Sequence, residues 1–315
     1  MLEATELHVE FSGRGGRRAR AVDGVNLSVG AGEIVALVGE SGCGKTTLAR
    51  TLLGLERPTS GQVSYDGTPL SYSGRALRAF RREVQLVLQD PMGSLNPRHT
   101  VYEAVAEGPR IHRLPDEESV VADALSRAGL RPPERFFQRF PHELSGGQRQ
   151  RVVIAGALAL DPKVLIADEP VASLDASVRG EILSLLLRLR DDLGLSALVV
   201  THDLGLAWNI ADRVAVMYLG RIVESGPTED VLKNPQHPYT QALLSVLPES
   251  PNRIVLTGEP PDPTRIPTGC RFHPRCQLVA AGRGVDACTT TPLPVLPAVT
   301  QTQVSCHLVP VIDNS

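Results

Sequence analysis

"GEIVALVGESGCGKTTLARTLLGL", residues 32–55, decides the fold. Up to Glu40 it is short, apolar and β-branched, the pattern of a strand buried on both faces. From Lys45 onward its apolar residues recur at helical spacing. Between the two, Gly39, Gly44, Lys45 and Thr46 fill the pattern G-x-x-x-x-G-K-[ST]. Glycines let the backbone curl so that successive N–H groups point inward, and the following helix adds the positive end of its dipole. The segment Gly39, Ser41, Gly42, Cys43, Gly44, Lys45, Thr46 and Thr47 is therefore read as a phosphate cradle. Lys45 reaches the β- and γ-phosphates, Thr46 ligates Mg²⁺, and Cys43 fills space.

Working outward, "EVQLVLQ" (Glu83–Gln89), "KVLIADE" (Lys163–Glu169) and "SALVVTH" (Ser196–His202) are further buried strands. They alternate with helical patterns such as "ASVRGEILSLLLRLRDDLG", which predicts an α/β fold with a mainly parallel sheet. "RVAVMYLGRIVESG" reads as a hairpin turning at Gly220, an antiparallel edge. Between Gln89 and Ser145 only helical patterns occur, so a helical subdomain is expected at about 90–160. The run "GRGGRRAR" (Gly13–Arg20) reads as a solvated loop between the first two strands. Several strands end in polar groups. Asp168 is placed to hold Mg²⁺ through water, and Glu169 to polarise a water for in-line attack on the γ-phosphate. His202 is assigned a hydrogen bond to the γ-phosphate, and Gln89 a contact with Mg²⁺ or the attacking water.

A second glycine-rich helix start, "LSGGQRQR" (Leu144–Arg151), stands far from the first. Ser145 is a natural N-cap, and Gly146 and Gly147 open the backbone before a long helix. This makes a second anion site. Two copies facing head to tail would use both sites, each nucleotide lying between the phosphate loop of one chain and the "LSGGQ" helix of the other. ATP then joins the pair, and hydrolysis releases it.

Composition narrows the class. A 315-residue chain with 42% hydrophobic and 21% charged residues is ordinary for a soluble globular protein. A net charge of −3 with a pI near 6.3 carries no nucleic-acid-binding signature. No apolar run reaches the roughly 18–20 residues of a membrane helix. The start, "MLEATELHVEF", lacks the basic and apolar regions of a signal peptide. A cytosolic address follows, where cysteines stay reduced. Only three lysines occur, and one of them is Lys45.

The ordered set "GESGCGKT", "LQDP", "LSGGQ", "VLIADEP", "SLD" and "VVTH" resembles the ATP-binding cassette (ABC) family over residues 1 to about 235. The resemblance implies a P-loop NTPase fold and ATP hydrolysis. It gives Ser145, Gly147 and Gln148 signature-motif roles toward the nucleotide, places Asp175 in the loop between subunits, and matches Phe11 to the aromatic that stacks on adenine. Gly156 stands where many relatives have arginine. "LQDPMGSLNPRHTV", "NPQHPYTQALL" and the proline-rich tail are similar to the oligopeptide/dipeptide importer branch, and "SLNPR" leans toward the second, F-type of its two ATPases. The implied protein powers peptide import from the cytoplasmic face of the membrane. Its implied partners are a second ATPase subunit, two transmembrane permease subunits and, through them, an extracytoplasmic solute-binding protein, with no nucleic acid. Nickel, glutathione or another small solute is the alternative cargo. A non-transport ABC protein and a P-loop kinase are the alternative classes.

Beyond about Pro235 prolines become frequent and strand patterns vanish, so residues 236–315 read as a small separate appendage to the 1–235 cassette domain. It carries Cys270-x5-Cys276-x11-Cys288-x17-Cys306. Four reduced thiols suggest Zn²⁺ or an iron–sulfur cluster, or remain free. The x5 gap is less typical of zinc. In the importer branch the corresponding cysteines resemble a [4Fe–4S] site, while His273 and His307 read as surface groups.

Overall fold

The computed structural model describes residues 1–13, 16–172, 174–247 and 253–309. Arg14 and Gly15 of the basic run, Ser173 of "SLD", and residues 248–252 and 310–315 of the expected appendage lie outside them. The strands are β1 (Leu2–Ser12), β2 (Arg18–Val29), β3 (Ile34–Val38), β4 (Ser60–Tyr65), β5 (Thr68–Pro69), β6 (Val84–Val87), β7 (Val164–Asp168), β8 (Ser196–Thr201), β9 (Arg213–Tyr218), β10 (Arg221–Pro227) and β11 (Gln303–Val304). The chain forms two compact units. One comprises Met1–Val29, Val35–Pro69 and Thr201–Ser315, and the other Gly30–Ile34 and Leu70–Val200.

In the first unit, β2, β1, β4 and β5 form an antiparallel sheet in that order. Leu2, Ala4, Leu7 and Val9 of β1 are buried, with register shifts where the inward alternation breaks. β3 is buried along its whole length and runs parallel to β9, with Val38 opposite Val216. β10 returns antiparallel to β9. The hairpin turns at Leu219 (φ 44) and Gly220 (φ 82), so the expected turn at Gly220 is present. A two-residue turn with both φ positive matches the right-handed twist of the strands it joins.

The tail departs from its sequence reading. Gln303–Val304 pairs with Glu224 and Ser225 of β10, so the tail returns to the sheet as β11. Two residues are too few to show a period. Cys270, Phe272, Cys276 and Cys288 join Val38, Val216, Tyr218 and Tyr239 in one buried cluster. Each large side chain so buried contributes about 1.5–3 kcal/mol. The basic run also differs from a simple loop, because Arg18–Arg20 already belong to β2, Arg18 opposite Ser12 and Arg20 opposite Glu10.

In the second unit, β6, β7 and β8 are parallel, with Val87 opposite Ala167 and Asp168 opposite Val200. Buried Val164–Ala167 and the fully buried β8 are the continuous apolar runs that parallel strands show. Between β6 and β7 the chain is helical, as expected, with helices Val101–His112, Glu117–Arg127 and Gly146–Leu158. The first begins at Thr100 in a capping box with Glu103. Helix Ala176–Leu193 ends at Gly194 in the left-handed region (φ 65), the usual glycine stop.

Candidate functional site

The phosphate-type loop leaves β3 at Val38 and enters the helix Lys45–Leu52. Its glycines answer to crowding. At Gly39 a Cβ would lie 2.2 Å from the carbonyl oxygen of Met217, and at Gly44 (φ 110) 2.1 Å from that of Ala21. Only a residue without a side chain lets the loop pack this closely against β9 and β2. Lys45 is buried, and its Nζ donates to the carbonyls of Gly39 (2.7 Å) and Glu40 (2.8 Å). The ammonium is thus held inside the loop's own curl. Cys43 is buried 3.8 Å from Lys45 Nζ, and burial pushes its thiol up, so it packs as a neutral group. Ser41, Gly42 and Thr46 are exposed, and Thr47 is half-buried. Phe11 is exposed near the end of β1, opposite Ala19. His202 follows β8 and is exposed. Asp203 beside it caps the helix Leu204–Ile210 by accepting from the Leu206 N–H at 3.1 Å.

Glu40 carries contacts the sequence did not reveal. Its carboxylate takes two bonds from Arg275, at 2.7 and 3.0 Å, and its N–H donates to the Tyr239 hydroxyl at 2.8 Å. The Glu40 partnership raises the already high pKa of the Arg275 guanidinium. Nothing in "NPQHPYT", which holds Tyr239, or in "GCRFHPRC", which holds Arg275, names a partner in the loop.

In the second unit the acidic pair stands at the carboxyl end of β7. Asp168 is its last residue. Glu169 turns out of the strand with φ 48, while its N–H still donates to the Val200 carbonyl at 2.8 Å. A left-handed conformation costs a side-chain-bearing residue about 1–2 kcal/mol. It breaks the strand's alternation immediately after Asp168, so successive carboxylates need not follow the pleat. Gln89 lies two residues past the end of β6, exposed, at the same carboxyl edge of this unit's parallel strands. Ligand sites of open α/β sheets lie at such edges.

The second glycine-rich start is a capping box. The Ser145 hydroxyl accepts from the Gln148 N–H at 3.2 Å, and Gln148 Oε1 accepts from the Ser145 N–H at 3.0 Å. The cap expected of Ser145 is present, and it takes one of the helix's open donors, which leaves fewer for an anion. Gly146 is exposed, while Gly147 is buried, with Val178 Cγ1 only 2.5 Å from where a Cβ would stand. Val178 lies on the helix that Asp175 caps, accepting from the Val178 N–H at 2.9 Å. That bond, first among its causes, holds the Asp175 carboxyl below its usual range. The helix Gly146–Leu158 is thus packed against the helix that Asp175 caps. Gly156 leaves room, its nearest neighbour being the Ala104 carbonyl at 3.9 Å.

Cys270, Cys276 and Cys288 are buried and Cys306 is half-buried. Among the described residues no group of three or more His, Cys, Asp or Glu side chains is arranged to hold a metal ion. Burial pushes the Cys270 thiol up to about 12, with smaller upward effects from the other three cysteines. Burial likewise raises Cys288 and Cys306. Cys270, Cys276 and Cys288 pack in the buried cluster that also holds Phe272, Tyr218 and Tyr239. His273 bonds the Cys270 carbonyl and His307 the Thr291 carbonyl, and both are half-buried where surface groups are expected.

The family model described as "ABC transporter" matches residues 22–172, and "Oligopeptide/dipeptide transporter, C-terminal region" matches residues 223–282. The putative oligopeptide transport ATP-binding protein YkfD of Bacillus subtilis is 44% identical over 88% of this chain and 87% of its own. The dipeptide transport ATP-binding protein DppF of Haemophilus influenzae is 47% identical over 82% of each. Among solved structures, cbiO1 from Clostridium perfringens, part of the ABC transporter complex cbiONQ, is 34% identical with a TM-score of 0.67, over 74% of this chain and 90% of that one. The dimeric cassette MJ0796, described as bacterial, is 30% identical with a TM-score of 0.64, over 72% of this chain and 99% of that one.

Proposed function

This chain belongs to the ABC transporter family, and from that membership we propose that it is the ATP-hydrolysing subunit of an importer of di- and oligopeptides. One observation carries the reading. A cassette match over residues 22–172 shares the chain with an oligopeptide/dipeptide transporter C-terminal match over residues 223–282. Cassettes are common to many cargoes, whereas the second match is described by oligopeptide and dipeptide transport.

ATP is the substrate. The loop Gly39–Thr46 takes its phosphates, with Lys45 on the β- and γ-oxygens and Phe11 against the adenine. Glu169 accepts a proton from water as the water oxygen bonds to the γ-phosphorus and the bond to the ADP oxygen breaks. His202 hydrogen-bonds the γ-phosphate, and Gln89 orients the water. Thr46, Gln89 and Asp168 offer the oxygens that Mg²⁺ prefers, and an ion held largely by phosphates needs only one or two protein ligands. When bound it neutralises phosphate charge. Ser145, Gly146, Gly147, Gln148 and Asp175 complete the clamp of a second ATPase in a head-to-tail dimer, a heterodimer in our reading. No helix among the described residues is long and apolar enough to cross a membrane. We place the chain on the cytoplasmic face against two permease subunits, which receive cargo from an extracytoplasmic binding protein. For the tail, the finer proposal remains a [4Fe–4S] cluster on Cys270, Cys276, Cys288 and Cys306. Its support is donor chemistry: four thiols in one tail, of which Cys276 and Cys306 both raise the proton affinity of Cys270 and of Cys288.

The test is genetic and biochemical. Cells lacking the chain regain uptake of a labelled dipeptide when given wild type and not when given Glu169→Gln. Purified Glu169→Gln binds ATP, does not turn it over and accumulates as the closed dimer. Near-wild-type turnover of that variant overturns the base assignment. Recovery of nickel or glutathione uptake in place of peptide overturns the cargo.

A further inference from the structure

The tail reaches the phosphate loop by three routes, none of which supplies a ligand to a phosphate. Arg275, 8% exposed, meets the Glu40 carboxylate in a two-pronged pair, Nη1 to Oε2 at 2.7 Å and Nη2 to Oε1 at 3.0 Å. Tyr239, fully buried, accepts the Glu40 N–H on its hydroxyl at 2.8 Å. Arg271 donates to the Leu219 carbonyl and to the Asp23 carboxylate, bracing the hairpin turn whose Gly220 N–H donates to the Cys43 carbonyl at 2.8 Å. Glu40 itself is the second residue of the loop. Its carbonyl accepts from Lys45 Nζ at 2.8 Å, so a shift of Glu40 moves the lysine's seat.

The brace is built to be stiff. Tyr239 sits in a ring cluster with Tyr218 (centroids 4.7 Å apart) and Phe272 (5.4 Å), and Phe272 packs on Tyr218 edge to face at 5.3 Å. Phe272 follows Arg271 and precedes Arg275 with only residues 273 and 274 intervening, so one short segment carries both arginine contacts, and its ring packs against Tyr239, which carries the other. The loop it braces is rich in glycine, which loses the most backbone freedom on ordering. A phosphate cradle works only if its N–H groups already converge. A buried guanidinium fork on a carboxylate is stronger and more directional than a neutral hydrogen bond, and lysine cannot reproduce it.

We propose that the C-terminal tail is a built-in brace for the phosphate loop: Arg275 and Tyr239 are positioning residues that set the curl of Gly39–Thr46 through Glu40. The inference rests on the reading of that loop as the ATP phosphate site. Nucleotide affinity then depends on a region that touches no nucleotide.

The experiment titrates MgATP against the full chain and measures turnover in the assembled importer for wild type, Arg275→Gln, Arg275→Lys, Tyr239→Phe, Glu40→Gln and the Glu40→Gln/Arg275→Gln double variant. Arg275→Gln and Tyr239→Phe each weaken ATP binding by about tenfold, the scale of one lost charge-assisted or buried hydrogen bond. KM rises in step while kcat stays within about twofold. Arg275→Lys restores little, and the double variant binds no more weakly than either single one, because both remove the same contact. If Arg275→Gln does not fold, Tyr239→Phe decides, since it removes one oxygen and keeps the ring. Folded variants that bind ATP as tightly as wild type overturn the proposal, as does a fall in kcat at constant KM. A wild-type chain that binds no ATP overturns the reading of the loop and the brace with it.

Discussion

His237 gives the most quantitative test of how the tail is built. It belongs to "NPQHPYT", is 1% exposed, and its Nδ1 accepts from the Tyr239 N–H at 3.0 Å. Its own N–H donates to Glu224, another buried group, at 3.0 Å. Burial drives the imidazole down to about 3 from an ordinary 6.5. The unfolded chain therefore takes up a proton below pH 6.5, while the folded chain refuses one until about pH 3. In that window the unfolded state binds more protons, so stability rises with pH and is lost as pH falls. Between pH 7 and pH 5 the expected loss is about 2 kcal/mol. Glu224 works in the opposite sense, because burial raises its carboxyl, so the raw curve mixes two effects. Comparison with His237→Asn removes the mixture: both chains keep Glu224, and asparagine still accepts the Tyr239 N–H as a cap. Urea unfolding followed by the lone tryptophan, Trp208, in the same compact unit, reads the difference. Wild type should lose about 2 kcal/mol relative to the variant on acidification from pH 7 to pH 5. Parallel curves would refute the buried neutral histidine.

Gly44→Ala would place a Cβ 2.1 Å from the Ala21 carbonyl and 2.8 Å from Met217 Cε at φ 110. The backbone strain alone costs about 1–3 kcal/mol, so the melting temperature should fall and MgATP binding should vanish; normal binding would contradict the close-approach argument. For the thiols, the chain purified without oxygen should be brown, and Cys270→Ser should lose the colour. A colourless wild type removes the iron–sulfur reading and leaves the cysteines as packing groups.

The parts of the fold that could be read in advance are those where neighbours in sequence are neighbours in chemistry. β3, the glycine loop and helix Lys45–Leu52 form one continuous run, so period and motif together suffice to read the strand, the turn and the helix. The Ser145 cap and the Gly220 turn were readable for the same reason, since each closes within a few residues. What escaped lies in pairs far apart along the chain. Glu40 and Arg275 are 235 positions apart, and Glu40 and Tyr239 are 199 apart. An arginine in "HPRC" looks like any other until a carboxylate is set before it. Cysteine spacing is incomplete in a related way. It names a donor set, but not the neighbours Phe272, Tyr218 and Tyr239, which share a buried cluster with Cys270, Cys276 and Cys288. Gly147 has a like history, because its need to be glycine comes from Val178 on another helix. The glycine loop states which ligand the protein can hold. How firmly it holds that ligand is set by a tail whose own sequence shows no phosphate chemistry, and that is why the tail's arginine and tyrosine, more than its cysteines, are the residues to change first.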